Sequence, residues 1–180
     1  DSTIVTSETL DELSDHAGIK DAIAAITARA MNGELGFEEA LRERVGMIAG
    51  LSADAMQECW AGVEYTPGAR ELVGTMRAHG GYCVLVSGGF DFFGEHLQTL
   101  LPLDVVHANR LEIVDGRLTG RVIGDVVDRA GKADVLRRIA TAEHIPLEQT
   151  VAIGDGANAL DMLATAGLGI AFGLPGVALA

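Results

Sequence analysis

The sequence predicts an α/β protein with a doubly wound parallel sheet, and three observations carry that expectation. Short apolar runs at 82–86, 150–153 and 168–172 alternate with stretches of helical periodicity. The first two runs close on glycine-rich polar loops, Ser87-Gly88-Gly89 and Gly154-Asp155-Gly156. The runs are apolar on both faces, as strands are when helices cover a parallel sheet from each side. Ligands of such sheets bind beyond the carboxyl ends of the strands, so both loops are expected around one crevice.

Residues 7–61 read as helical. Leu10, Leu13 and Ala17, then Ile23, Ile26 and Met31, recur at spacings of three and four, and Leu41, Val45 and Ile48 repeat the pattern across 37–51. Breaks fall at Gly18, Asn32-Gly33 and Gly50. After Tyr65-Thr66-Pro67-Gly68 a further helix is expected over 69–79, ended by Gly80-Gly81, and then the strand 82–86. Residues 91–101 are helical and Val105-Val106 form a short strand. Residues 111–123 alternate around Asp115-Gly116, a strong hairpin signal. A helix over 133–142, a strand at 150–153, a helix running to Ala166 and a strand at 168–172 complete the order.

The bulk numbers narrow the class. A chain of 180 residues, 48% hydrophobic and with 23 glycines, can bury a sizeable core. A formal charge of −13 argues against nucleic acid or an anionic membrane as partner, since both demand a basic surface. A phosphorylated small molecule then needs local cations or a metal. The two cysteines, Cys59 and Cys83, have no metal-type spacing and read as buried thiols of a reducing compartment. No apolar run approaches a membrane span. A cytoplasmic location is the expectation.

Three loops carry candidate chemistry. Gly154, Gly156 and Ala159 form G-x-G-x-x-A after a strand, but Asp155 sits where a pyrophosphate needs bare amides, and no acid ends the next strand. An acid at a strand end beside glycines suits a hard cation such as Mg²⁺; the alternative is a turn or cap residue. Ser87 lacks the G-x-S-x-G context of a nucleophile. With two unhindered glycine amides beside it, it suits an anion site, or a simple helix cap. Gly131-Lys132 lacks the rest of a P-loop; Lys132 is either solvated surface or the cation that a phosphate site requires.

Taken together and in order, Asp1-Ser2-Thr3, VSGGF, Lys132 and GDGAN resemble the haloacid dehalogenase superfamily of phosphohydrolases, and within it the phosphoserine phosphatases. The stretches SETLDEL, RAMNGELGFEEALRERV, ANRLEIVDGRLTG and TVAIGDGAN fit the same pattern. The resemblance implies a haloacid dehalogenase-like core over 1–6 and 68–180 and a small helical cap inserted at 7–67. It implies a Mg²⁺-dependent phosphomonoester hydrolase that releases L-serine and phosphate from O-phospho-L-serine through an aspartyl-phosphate, in serine biosynthesis. The attacking aspartate of the family stands two residues before the position of Asp1. Asp1 then matches the general acid and base, and its carbonyl a Mg²⁺ ligand. Asp155 matches the side-chain Mg²⁺ ligand. Ser87, Gly88 and Lys132 match the phosphate ligands, with Ser87 and Lys132 also in the catalytic set. Glu8 matches the partner of the substrate ammonium and Arg44 of its carboxylate, Met31 and Phe37 the pocket walls, and Asn158 a further substrate contact.

Two departures bear on the outcome. Ala159 stands where the family has an aspartate behind the metal and the lysine. The family's first strand precedes Asp1, and the segments after Leu174-Pro175-Gly176 look curtailed, so the sequence is expected to be part of a longer chain or poorly stable alone. The alternatives are a related small-molecule phosphatase of the superfamily and a non-catalytic homologue that binds a phosphorylated ligand.

Overall fold

In a computed structural model, which describes residues 1–173, four helices follow the opening segment: α1 (Thr9–His16), α2 (Lys20–Met31), α3 (Phe37–Met47) and α4 (Ala53–Ala61). The expected breaks hold, with Gly18, Gly33 and Gly50 all at positive φ. The Ser52 side chain accepts the Asp54 N–H and starts α4. The remaining order is α5 (Ala69–Ala78), β1 (Val84–Phe90), α6 (Asp91–Leu100), β2 (Val105–Val114), β3 (Arg117–Ile123), α7 (Arg129–Ala142), β4 (Val151–Gly154), α8 (Leu160–Thr165) and β5 (Leu168–Ala171). Single 3₁₀ turns at Leu147–Gln149 and Ala157–Ala159 flank β4. No helix among the described residues is long and apolar enough to cross a membrane. The expected curtailment after Leu174 lies outside the described residues.

Three boundaries differ from the sequence expectation, each for a local reason. β1 starts at Val84 because the Cys83 backbone is tied to Asp104: its N–H donates to Asp104 Oδ2 at 2.7 Å and its carbonyl accepts the Asp104 N–H at 2.8 Å. β1 then runs on through the glycines to Phe90, which pairs with Asn109. β2 is ten residues long rather than two, since it pairs in parallel with β1 and continues into the hairpin with β3. α7 begins four residues before Ala133 because the Asp128 side chain accepts the Gly131 N–H at 2.7 Å and caps the helix. The hairpin turn is as expected, with Asp115 at φ 51° and Gly116 at φ 73°, the paired left-handed geometry that a two-residue turn requires.

Among the described residues the strands form two sheets, one in the order β1-β2-β3 and one of β4 and β5. The β1–β2 and β4–β5 pairs are parallel, and β2–β3 is antiparallel. Among the described residues β1 and β4 each have a single hydrogen-bonded strand neighbour. Val86 of β1 packs against the buried cluster of Ala152, Ala159, Met162 and Leu163, and so joins the two sheets. A larger cluster unites Leu10, Leu13, Leu41, Val45, Ile48 and Met56 with Phe90, Phe93, Leu111, Leu118 and Val122. It fixes the helical unit to the sheet and the hairpin. Backbone bonds reinforce this: the Gly50 N–H donates to the Leu118 carbonyl at 2.8 Å and the Leu118 N–H to the Leu51 carbonyl at 2.9 Å. Cys59 and Cys83 are half-buried and unpaired rather than fully buried, and burial, the largest influence on each, raises both thiols above their ordinary value.

Candidate active site

The irregular second half of β1 and the carboxyl end of β4 carry the two polar loops, and the first three residues lie between them. Asp1 rests on Gly89 so closely that a Cβ there would overlap its Oδ2 and come within 3.1 Å of its Cγ. Gly89 does not have a left-handed φ, so glycine serves here for space alone. Thr9, buried in the first turn of α1, donates its hydroxyl to Asp1 Oδ2 at 3.1 Å. At the other end of the segment Thr3 donates its hydroxyl to Asp155 Oδ1 at 2.7 Å. The segment thus bridges the β1 and β4 loops and orients a carboxylate at each.

The Ser87 loop curls onto itself, with the Gly89 N–H donating to Ser87 Oγ at 3.0 Å. That changes one expectation: of the two glycine amides read as open to an anion, Gly89's is engaged by the serine. Lys132 enters from α7 and is only 8% exposed. Burial is the largest influence on its ammonium and lowers it below the ordinary value, while the Asp155 and Glu8 carboxylates oppose that shift. Among the described residues it forms no ion pair within 4.0 Å. The opening segment links these groups, since Ser2 donates to Glu8 Oε1 at 2.6 Å and Thr3 to Asp155 Oδ1 at 2.7 Å, and both carboxylates act on the Lys132 ammonium.

Glu8 faces two ways. It accepts the Ser2 hydroxyl at 2.6 Å, and its charge acts on both Lys132 and Arg44. Arg44 is half-buried on α3; burial lowers it most, and Asp11 and Glu8 oppose the shift. Its Nε donates to the Ala40 carbonyl at 3.2 Å and its Nη1 to Thr27 Oγ1 at 3.4 Å. Phe37 sits over the serine loop, its Cζ being 3.5 Å from where a Gly88 Cβ would lie. Met31 stands 84% exposed at the end of α2 and is not packed among these residues. Asn158 is exposed in the 3₁₀ turn beyond Asp155.

The structure therefore brings together Asp1, Glu8, Ser87, Lys132 and Asp155, with Arg44 and Phe37 beside them, and leaves Met31 outside. Thr3 and Thr9 belong to the site without having been picked out for it, and Gly89 was picked out for its amide rather than for the room it leaves Asp1. Thr9 has a findable signal, a hydroxyl in the first turn of the helix that follows the acid. No group of three or more His, Cys, Asp or Glu side chains that could hold a metal occurs among the described residues. The Asp155 carboxylate and the Asp1 carbonyl are a partial set of hard oxygens, unlike a closed protein cage. Mg²⁺ takes such partial sets because it keeps waters and ligand oxygens. Ala159 is buried in the apolar cluster with its methyl against Gly154, where a Cβ would lie 2.5 Å from it. Asp161 is turned away into a bond with Arg129 Nε at 2.7 Å.

Comparison with known proteins adds a second line of observation. A family model described as haloacid dehalogenase-like hydrolase matches residues 1–164. A phosphoserine phosphatase of Streptomyces coelicolor is 55% identical over 172 residues, which are 96% of this chain and 42% of that protein. The chain thus spans less than half the length of that relative. A phosphoserine phosphatase of Methanocaldococcus jannaschii is 42% identical over 96% of this chain and 82% of its own. A solved substrate-bound phosphoserine phosphatase complex superposes with a TM-score of 0.86 at 41% identity, over 93% of this chain and 80% of that one.

Proposed function

The chain belongs to the haloacid dehalogenase-like hydrolases, and from that premise we propose that it carries the catalytic unit of a Mg²⁺-dependent phosphoserine phosphatase. The observation that carries this reading is the opening segment, which seats Asp1 on Gly89 beside the Ser87 loop, ties Glu8 through Ser2 and Asp155 through Thr3, and lies by the buried Lys132 on which both carboxylates act. Ser87 and the Gly88 amide hold phosphoryl oxygens. Lys132, buried and without an ion-pair partner among the described residues, neutralises the phosphoryl charge and that of the attacker, which in the family is an aspartate two positions ahead of Asp1. Asp1, seated on Gly89 and held by Thr9, protonates the seryl oxygen as it leaves and then takes a proton from the water that cleaves the aspartyl-phosphate. Asp155 and the Asp1 carbonyl would hold Mg²⁺, which would supply positive charge to the phosphoryl oxygens.

Residues 7–67 act as the cap that selects the substrate. Glu8 has the position to meet an ammonium, since it already faces the two cations Arg44 and Lys132. Arg44 offers a planar fork to a carboxylate. Phe37 walls the phosphate loop, whereas the exposed Met31 and Asn158 have no part in the pocket. The substrate is a small phosphorylated amino acid, O-phospho-L-serine.

The test is hydrolysis by the full-length protein of O-phospho-L-serine, O-phospho-L-threonine and an aryl phosphate. Phosphoserine is the preferred substrate, and Glu8→Gln and Arg44→Lys raise its KM while sparing the aryl phosphate. Equal rates on all three substrates would remove the role given to Glu8 and Arg44. The buried Ala159 favours a second reading, a homologue that binds without turnover, because no carboxylate backs Asp155 from that position. Phosphate binding with no hydrolysis of any of the three would select it.

A further inference from the structure

Asn109 has no part in the account above, yet it is 0% exposed and both halves of its amide are engaged. Its Nδ2 donates to the Gly88 carbonyl at 2.8 Å, and its Oδ1 accepts the Val127 N–H at 2.8 Å. A carbonyl only accepts and a peptide N–H only donates, so these partners fix the orientation of the amide. The location matters as much as the bonds. Val86 pairs with His107, and the next pair is Phe90 with Asn109, so β1 carries extra residues opposite this point. Those residues are the Ser87 loop. Gly88 has left the ladder, and the Asn109 side chain takes the place of a strand partner for its carbonyl.

The other end of the amide reaches a different element. Val127 precedes Asp128, which caps α7, and the Lys132 N–H donates to the Asp128 carbonyl at 3.0 Å. Loop and helix start are adjacent, since a Cβ on Gly88 would lie 3.6 Å from the Val127 carbonyl oxygen. We propose that Asn109 is a positioning residue that clamps the Ser87 loop to the start of α7, so that the Ser87 hydroxyl, the Gly88 amide and the Lys132 ammonium present one anion site. Side chains on two elements bind one group well only if the elements are held within about 0.5 Å of the productive geometry. A single buried amide with one bond to each does that. For its effect on turnover the proposal rests on the phosphatase reading; for its effect on anion binding it does not.

The test uses the full-length protein with saturating Mg²⁺ and inorganic phosphate as the probe. Asn109→Asp keeps the size and the acceptor for Val127 but turns an oxygen toward the Gly88 carbonyl. Asn109→Ser is neutral and too short to span both partners, and it decides the question if the first variant does not fold. Val73→Ala, in a separate buried cluster with Leu97, Leu101 and Leu103, is the control for lost stability alone. Each Asn109 variant is expected to raise the phosphate Kd at least about tenfold, and to lower kcat for phosphoserine about 10²-fold, the scale of a misplacement near 1 Å. Val73→Ala lowers Tm and leaves the phosphate Kd unchanged. A folded Asn109 variant whose phosphate Kd rises by less than about tenfold overturns the proposal. Should the unsubstituted protein bind phosphate without hydrolysing phosphoserine, the phosphatase reading fails and the Asn109 comparison still stands. Should it hydrolyse phosphoserine while the variants bind phosphate normally, only the Asn109 proposal fails.

Discussion

Replacing Gly89 by alanine adds one methyl group at the place where the Asp1 carboxylate rests. The new carbon would overlap Asp1 Oδ2, and would lie 3.1 Å from Asp1 Cγ and 3.0 Å from Thr9 Oγ1. Non-bonded carbons settle at about 3.5–4.0 Å, so the carboxylate must retreat by about 0.5–1 Å. Backbone strain does not enter, because Gly89 lies outside the left-handed region. A displacement near 1 Å at a reacting group costs about 10²-fold in rate, or about 2.7 kcal/mol of transition-state stabilisation. The added methyl also overpacks a buried position, at about 1–3 kcal/mol of folding stability, so rates are normalised to folded protein by circular dichroism. Steady-state hydrolysis of phosphoserine by the full-length variant is expected to show kcat down about 10²-fold, with KM changed by less than about threefold because phosphate-binding groups stay in place. An unchanged kcat would refute the placement of Asp1 as the proton donor on this glycine.

Further expectations follow from other contacts. Thr9→Val keeps the shape of the side chain but removes the hydroxyl that donates to Asp1 Oδ2 at 3.1 Å; kcat falls about 10- to 10²-fold, in line with a charge-assisted bond of about 1.5–3 kcal/mol, and no loss would show that Thr9 does not orient the acid. Leu13→Ala opens a cavity in the cluster that ties α1 to the sheet and hairpin. Urea unfolding should register a loss of about 2–5 kcal/mol, and a loss under about 1 kcal/mol would mean the cluster does not bind the helical unit to the core. His107 is held below its ordinary value of 6.5, first by burial and then by the charge of Arg138. The unfolded chain therefore takes up the proton first as pH falls, so this stability is complete above about pH 6.5 and is lost on acidification. Between about pH 7.5 and about pH 5.5, His107→Gln should flatten the dependence of unfolding free energy on pH, and equal slopes would contradict the assignment.

What the sequence disclosed and what it hid divide along physical lines. Elements whose cause is local were legible: the Asp115-Gly116 turn, the glycine stops after the first helices, and the loops that end β1 and β4. Errors arose where a long-range partner decides. Gly131 suggested a loop ahead of Ala133, yet the Asp128 side chain turns that stretch into the first turn of α7. Asp104 claims the Cys83 backbone and delays β1, and nothing in the apolar run from Tyr82 to Val86 reports that. Asp155 and Lys132 stood out beside their glycines, whereas Asp1, Glu8 and Arg44 were legible only through the family resemblance. Thr9 and Asn109 were not, since each is an ordinary polar residue whose partner lies 8 or 21 positions away. Ser87 was read as a phosphate ligand at the end of a strand; in the structure it lies within the irregular part of β1 and its hydroxyl accepts the Gly89 N–H.

Everything functional depends on one shared phosphoryl site between the tips of β1 and β4. A crystal structure of the full-length protein with Mg²⁺ and inorganic phosphate tests that most directly. The account predicts one phosphate within hydrogen-bond reach of Ser87 Oγ, the Gly88 N–H and Lys132 Nζ, with Mg²⁺ on Asp155 and the Asp1 carbonyl touching the same phosphate. A phosphate bound elsewhere, or one that meets Ser87 without Lys132 and the metal, would contradict it.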